Sequence, residues 1–161
     1  ASACFMIAEI TAWAAEQNKT LYQILKEIYK EFDFYKEGLL SLTKKGISGI
    51  EEIKNLMHKF RTTPPTQILG SDIVEIKDYK SSVSKNVKSG VETTINLPKS
   101  DVLQFFTEDG TKISIRPSGT EPKIKFYFGI KAKLNDIADF KVVNNELNER
   151  INKLIKLFSE E

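Results

Sequence analysis

The sequence predicts an α+β fold: an antiparallel four-stranded sheet with helices packed on one face, preceded by a mostly helical piece. Three observations predict it. Apolar residues recur at helical spacing in three long stretches, apolar and polar residues alternate in several others, and Asp109-Gly110 supplies a two-residue hairpin turn. With 40% hydrophobic and 29% charged residues, the 161-residue chain can bury a core, which excludes disordered, collagen-like and mucin-like classes. Its 24 Lys+Arg against 22 Asp+Glu leave +2, too weak a field to argue for nucleic acid. A single cysteine excludes an internal disulfide framework and zinc sites built on several cysteines. No secretory pattern is evident, so a cytoplasmic location is expected.

The first element is the apolar run from Ala1 to Ala15, interrupted only by Glu9. It is too short to span a bilayer, which takes about 20 apolar residues, so no membrane association is expected. It lacks the basic flank of a secretory signal and an initiator Met. It therefore reads as the interior of a longer protein, a helix buried against something else, with Cys4 as inert core. In the second helix Thr20 and Gln23 form a capping box, and Leu21, Ile24, Leu25, Ile28, Tyr29 and Phe32 form its core stripe. Residues 33–46 read as a strand between turns. A third helix starts at a capping box of Ser48 and Glu51, buries Ile50, Ile53, Leu56, Met57 and Phe60, and ends at Pro64-Pro65. His58 falls off that stripe and is expected in solvent.

Beyond Pro65 the pattern changes to strands: Ile73 to Tyr79, Val102 to Thr107, Lys112 to Arg116, and Lys123 to Lys133. The lysine-bearing stretch from Lys80 to Gly90 reads as a mobile loop. A last helix runs from about Asp136 to Phe158, with Ile137, Phe140, Val143, Leu147, Ile151, Leu154 and Phe158 as its stripe. Two units are expected: residues 1–42 with 4 basic and 6 acidic side chains, and residues 43–161 with 20 and 16.

The chemistry lies between two strands, at Arg116-Pro-Ser-Gly-Thr-Glu-Pro-Lys123. Ser118 and Thr120 offer hydroxyls, and Gly119 lets backbone N–H groups converge into a concavity that suits an anion. Arg116 adds a planar fork and Lys123 or Lys125 a point charge; alternation puts both lysines on the polar face, so spacing does not choose between them. Every member is a donor or a cation, so the expected ligand is a phosphate. The alternative is a hairpin loop whose hydroxyls satisfy their own backbone.

The run Arg116-Pro-Ser-Gly-Thr-Glu-Pro-Lys-Ile-Lys-Phe-Tyr127 resembles the phosphate-binding loop of the α-D-phosphohexomutases, the phosphoglucomutase/phosphomannomutase superfamily. Leu97 to Leu103 and Glu108-Asp109-Gly110 are similar to its phosphoglucomutase and phosphopentomutase branch, and Gly46 to Pro65 to the first helix of domain 4. The resemblance implies that residues 1–42 are the C-terminal helices of a truncated α/β domain 3, and residues 43–161 a TBP-like domain 4. It implies an isomerase, an intramolecular phosphotransferase interconverting glucose 1-phosphate and glucose 6-phosphate. A phosphoserine, Mg²⁺ and a glucose 1,6-bisphosphate intermediate or activator would belong to the parent chain.

No Ser-His-Asn-Pro, Asp-Gly-Asp or Glu-Ser-Gly motif of that family occurs here, so no catalytic or metal residue is assigned and the chain alone is expected to be inactive. Its implied contribution is to hold the substrate's non-transferred phosphate through Arg116, Ser118, Gly119, Thr120, Lys123 and Lys125. Implied partners are a phosphosugar and domains 1–3 of the parent, with association through the apolar N-terminal helix. Phosphomannomutase and phosphopentomutase activities stay open within the family. The reading from another class is a non-catalytic nucleic-acid-binding α+β module, for which only Tyr127 is left as a stacking platform.

Overall fold

A computed structural model describes residues 2–44 and 46–160, apart from the side chain of Ile47. The elements are α1 (Ser2–Glu16), α2 (Leu21–Phe32), β1 (Phe34–Thr43), α3 (Gly46–Thr62), β2 (Gln67–Ile68), β3 (Ser71–Asp78), β4 (Val83–Asn86), β5 (Glu92–Thr94), β6 (Leu103–Thr107), β7 (Lys112–Pro117), β8 (Lys123–Ala132), a 3-10 turn (Ile137–Asp139) and α4 (Phe140–Ser159). The α+β class matches the expectation. The sheet is larger than expected, with eight strands among the described residues, in the order β1-β8-β7-β6-β3-β4-β5 and β2 beside β3. Registers from β2 through β8 are antiparallel. The added strands are β1, which joins the sheet edge beside β8, and the short β2, β4 and β5.

The chain forms two compact units: residues to Tyr35 together with Lys131–Leu147, and Lys36–Ile130 together with the chain from Asn148 onward. The expected boundary, between residues 42 and 43, falls within β1.

In the first unit, the capping box of α2 is present: Thr20 Oγ1 accepts from the Gln23 N–H and Gln23 Oε1 accepts from the Thr20 N–H. Asp33 ends α2 at φ +73° and accepts a bond from Lys131 Nζ at 3.2 Å. Phe34 stacks between Tyr29, at 4.2 Å, and Phe140, at 4.9 Å.

Two expectations fail here. Only Ile24 of the α2 stripe is buried, while Leu21, Leu25, Ile28 and Phe32 are exposed. In α1 only Ala14 is buried, as expected of an apolar helix that lacks its covering layer, but Cys4, expected in the core, is exposed. Periodicity records an apolar face; it does not supply the layer that covers it. Among the described residues no helix is long and apolar enough to cross a membrane.

In the second unit, the inward residues of neighbouring strands form one apolar sheet face: Leu103 and Phe105, Ile113 and Ile115, then Ile124, Phe126, Phe128 and Ile130, all at most 2% exposed. Two helices cover it. Phe60 of α3 meets Phe105 and Phe126 at 6.1 and 6.2 Å, and Phe158 of α4 meets Phe126 and Phe128 at 5.3 and 5.6 Å. Gly38 of β1 lies so close beneath α4 that a Cβ would sit 2.6 Å from Ile151 Cγ2.

The expected capping box at Ser48 and Glu51 does not open α3. Gly46 takes φ +74° at the turn after β1, and the helix begins there. Ile50, placed in the core by its spacing, is 46% exposed. His58 is exposed, as its spacing predicts. The stretch read as a mobile loop is instead built around the β4–β5 hairpin, with Val83 opposite Thr94 and Ser84 opposite Thr93.

The Asp109-Gly110 turn joins β6 to β7. Asp109 Oδ1 accepts from Thr107 Oγ1 at 2.6 Å and from the Thr111 N–H at 3.0 Å, and Oδ2 accepts from Arg150 of α4 at 2.6 Å. Burial by itself raises the Asp109 pKa, but the hydrogen bonds from Thr107 and Thr111 and the Arg150 charge outweigh it and hold the carboxyl below its ordinary 3.8. A depressed carboxylate pKa stabilises the fold above the unfolded value and loses that contribution as pH falls through the folded value. In urea titrations, Asp109→Asn is therefore expected to be about 1 kcal/mol less stable than wild type at neutral pH. The gap should close below pH 3.8. A gap that stays constant from pH 7 to pH 2 would exclude this account.

Candidate functional site

Strand alternation builds the site. Because Ile115, Ile124 and Phe126 point into the core, Arg116, Lys123, Lys125 and Tyr127 project from the opposite, open face. Arg116 and Lys125 are direct cross-strand partners. Residues 118–122 connect the strands as a loop pinned by its own backbone: the Ser118 N–H donates to Lys123 O, and the Lys123 N–H to Glu121 O, both at 2.7 Å. The Lys44 N–H, just after β1, donates to Pro122 O at 2.9 Å.

Beside this loop lies a cavity of about 260 Å³. Its walls are Arg116, Pro117, Ser118, Gly119 and Glu121 on the loop side, and Lys123, Lys125 and Tyr127 along β8. Five of the six residues singled out from the sequence thus border one space. Thr120 does not border it; it sits exposed in the loop. Tyr127 lines the cavity and was not among them. Its signal was available in the alternation that put it on the face of Lys123 and Lys125.

The cations differ in their surroundings. Lys123 Nζ lies 3.4 Å from Glu121 Oε2. Arg116 and Lys125 have no carboxylate partner among the described residues. Like charges directly opposed across a ladder destabilise a sheet, so this pair is a local cost of the kind associated with function. Ser118 Oγ accepts long bonds from the N–H groups of Glu121, at 3.3 Å, and Thr120, at 3.5 Å. Two loop N–H donors are thus held by a hydroxyl oxygen. Gly119 has no positive φ and a Cβ there would meet nothing within 4 Å, so the protein itself does not demand glycine.

Apart from Glu121, the polar groups are cations, hydroxyls and N–H donors, a set suited to an anion and not to a divalent cation. Among the described residues no three His, Cys, Asp or Glu side chains gather as metal ligands. The Mg²⁺ implied by the resemblance does not fit here.

The family model described as phosphoglucomutase/phosphomannomutase, C-terminal domain, matches residues 42–143, which include the whole site. The phosphoglucomutase of Staphylococcus aureus strain bovine RF122 / ET3-1 is 38% identical over 121 residues, 74% of this chain and 22% of that protein. The phosphoglucomutase of Staphylococcus haemolyticus strain JCSC1435 is 34% identical over 125 residues, 78% of this chain and 23% of that protein. The solved open form of pp63/parafusin, a phosphoglucomutase from Paramecium, is 13% identical with a TM-score of 0.37, covering 83% of this chain and 22% of that one. The chain thus spans between a fifth and a quarter of the length of these curated relatives.

Proposed function

Because the chain belongs to the phosphoglucomutase/phosphomannomutase family, whose C-terminal domain it matches, we propose that the cavity beside residues 118–122 grips the phosphate of a phosphosugar. The observation that carries this reading is the opposed pair of Arg116 and Lys125, free of any carboxylate partner among the described residues and next to the Ser118 hydroxyl. Within the parent protein the activity we propose is interconversion of glucose 1-phosphate and glucose 6-phosphate through a bisphosphate. Residues 1–42 then derive from the end of domain 3 and residues 43–161 form domain 4. The nucleophile and the Mg²⁺ ligands lie elsewhere in that protein, and this chain by itself has no turnover.

The role follows from the chemistry. Phosphoryl transfer is accelerated mainly by positioning and charge stabilisation. Holding the remote phosphate fixes the orientation of the reacting end, so binding energy far from the reaction lowers its barrier. Arg116 supplies a fork for two phosphate oxygens, Lys125 a point charge, and the loop its N–H and hydroxyl donors. A nucleic-acid surface is less well supported, since Phe126 and Phe128 are 0% and 2% exposed and only Tyr127 of that strand's aromatics is open to a base.

The test is an amide NMR titration of the 161-residue chain with inorganic phosphate. Four or five charge-assisted bonds are offset by immobilisation and by screening in an open site, so a dissociation constant of about 1 mM is expected. The amides of Gly119, Thr120 and Glu121 should move most. Shifts confined to residues 80–90, with the loop still, would place the site elsewhere.

A further inference from the structure

We propose that Glu121 is an internal counter-ion that competes with bound phosphate for Lys123 and thereby limits the strength of the grip; this rests on the phosphate reading above. Glu121 is the one carboxylate among the described residues that line the cavity. An acid there opposes any anion that enters, and nothing in the packing calls for it, since the side chain is 63% exposed. Its placement is nonetheless well defined. The Glu121 carbonyl accepts the Lys123 N–H at 2.7 Å, and its own N–H donates to Ser118 Oγ at 3.3 Å. This backbone geometry brings the carboxylate to 3.4 Å from Lys123 Nζ.

Ser118 Oγ does for the loop N–H groups what the Glu121 carboxylate does for the ammonium. Both are oxygens standing where phosphate oxygens would bind. Among the described residues Arg116 and Lys125 have no such stand-in. Phosphate entry is therefore an exchange at Lys123, one oxyanion for another. The ammonium is never left alone, and the returning carboxylate helps to expel the ligand.

The structure thereby separates two lysines that alternation left equivalent: Lys125 has no carboxylate partner among the described residues, and Lys123 is shared with Glu121.

A double-mutant cycle tests this, with inorganic phosphate as probe and amide shifts as readout on the 161-residue chain. Glu121→Gln is expected to tighten phosphate about three- to tenfold, the worth of an exposed ion pair together with the lost repulsion. In a Lys123→Gln background the same substitution should change affinity less than about twofold. General repulsion by the carboxylate would act equally on Arg116 and Lys125, so an equal gain in both backgrounds overturns the proposal. An unchanged or weaker affinity in Glu121→Gln overturns it as well, while the phosphate reading stands on the wild-type response. If wild type shows no response to phosphate, the reading and this inference fall together.

Discussion

Arg116→Ala is expected to abolish the phosphate response of the loop. A guanidinium makes paired hydrogen bonds to a phosphate, each of about 1.5–3 kcal/mol when charged. Losing the fork should weaken binding by about a hundredfold or more, since the two bonds come to at least about 3 kcal/mol and 1.4 kcal/mol is a factor of ten. From a starting affinity of about 1 mM, that moves binding beyond any practical titration. Arg116→Lys keeps the charge but not the planar fork and should fall between the two. Because Arg116 is exposed and the neighbouring core residues Ile115 and Phe126 are untouched, the variant should keep its fold and its amide spectrum. On the proposed function, the same change in the full-length protein should lower kcat/KM, with the grip acting in both the ground state and the transition state. An Arg116→Ala chain that still titrates with wild-type affinity would mean that the loop only closes a hairpin.

The largest effect on stability is expected at Phe126, the neighbour of Tyr127 on the opposite face of the same strand. Phe126 is fully buried between Phe60, at 6.2 Å, and Phe158, at 5.3 Å, so it joins both helices to the sheet. Phe126→Ala leaves a cavity at that junction and should cost about 3–5 kcal/mol. For a chain of this size that lowers Tm by about 6–20 °C. Phe126→Leu retains most of the volume and should cost about 1.5 kcal/mol. Tyr127→Ala, one residue away on the open face, should stay within about 0.5 kcal/mol. Calorimetry on the three variants checks the order; similar Tm values for Phe126→Ala and Tyr127→Ala would contradict the assignment of the two faces.

These two residues also show what was legible in the sequence. The alternation from Lys123 onward assigned both faces of β8, because a strand carries its burial pattern at a period of two residues. The site was legible because its donors are nearly contiguous, from Arg116 to Lys125. Tyr127 escaped because an outward aromatic reads the same whether it borders a cavity or open water.

Each misreading has its own physical cause. Leu25, Ile28, Phe32 and Cys4 lie on apolar surfaces that no other layer covers among the described residues, and spacing carries no information about a covering layer. The β4–β5 hairpin is short, lysine- and serine-bearing and mostly exposed, so its pairing comes from the neighbouring β3 and not from its own pattern. The capping signal at Ser48 stands inside α3, which begins two residues earlier at Gly46, where glycine tolerates a positive φ.

The placement of β1 at the sheet edge beside β8 has a consequence for synthesis. Asp33 and Lys131, which are joined by an ion pair, stand 98 residues apart in sequence. A ribosome adding about 5–20 residues per second needs roughly 5–20 s to make that interval. Through that interval the ten residues of β1, with Leu39, Leu40 and Leu42 among them, exist before the strand they will lie beside has been made. Closing so long a loop is slow as well as late, because its entropy must be given up before the contact repays it. For those seconds β1 is an unpaired template open to any other extended chain, and a nascent polypeptide of this sequence is most exposed to misassociation there.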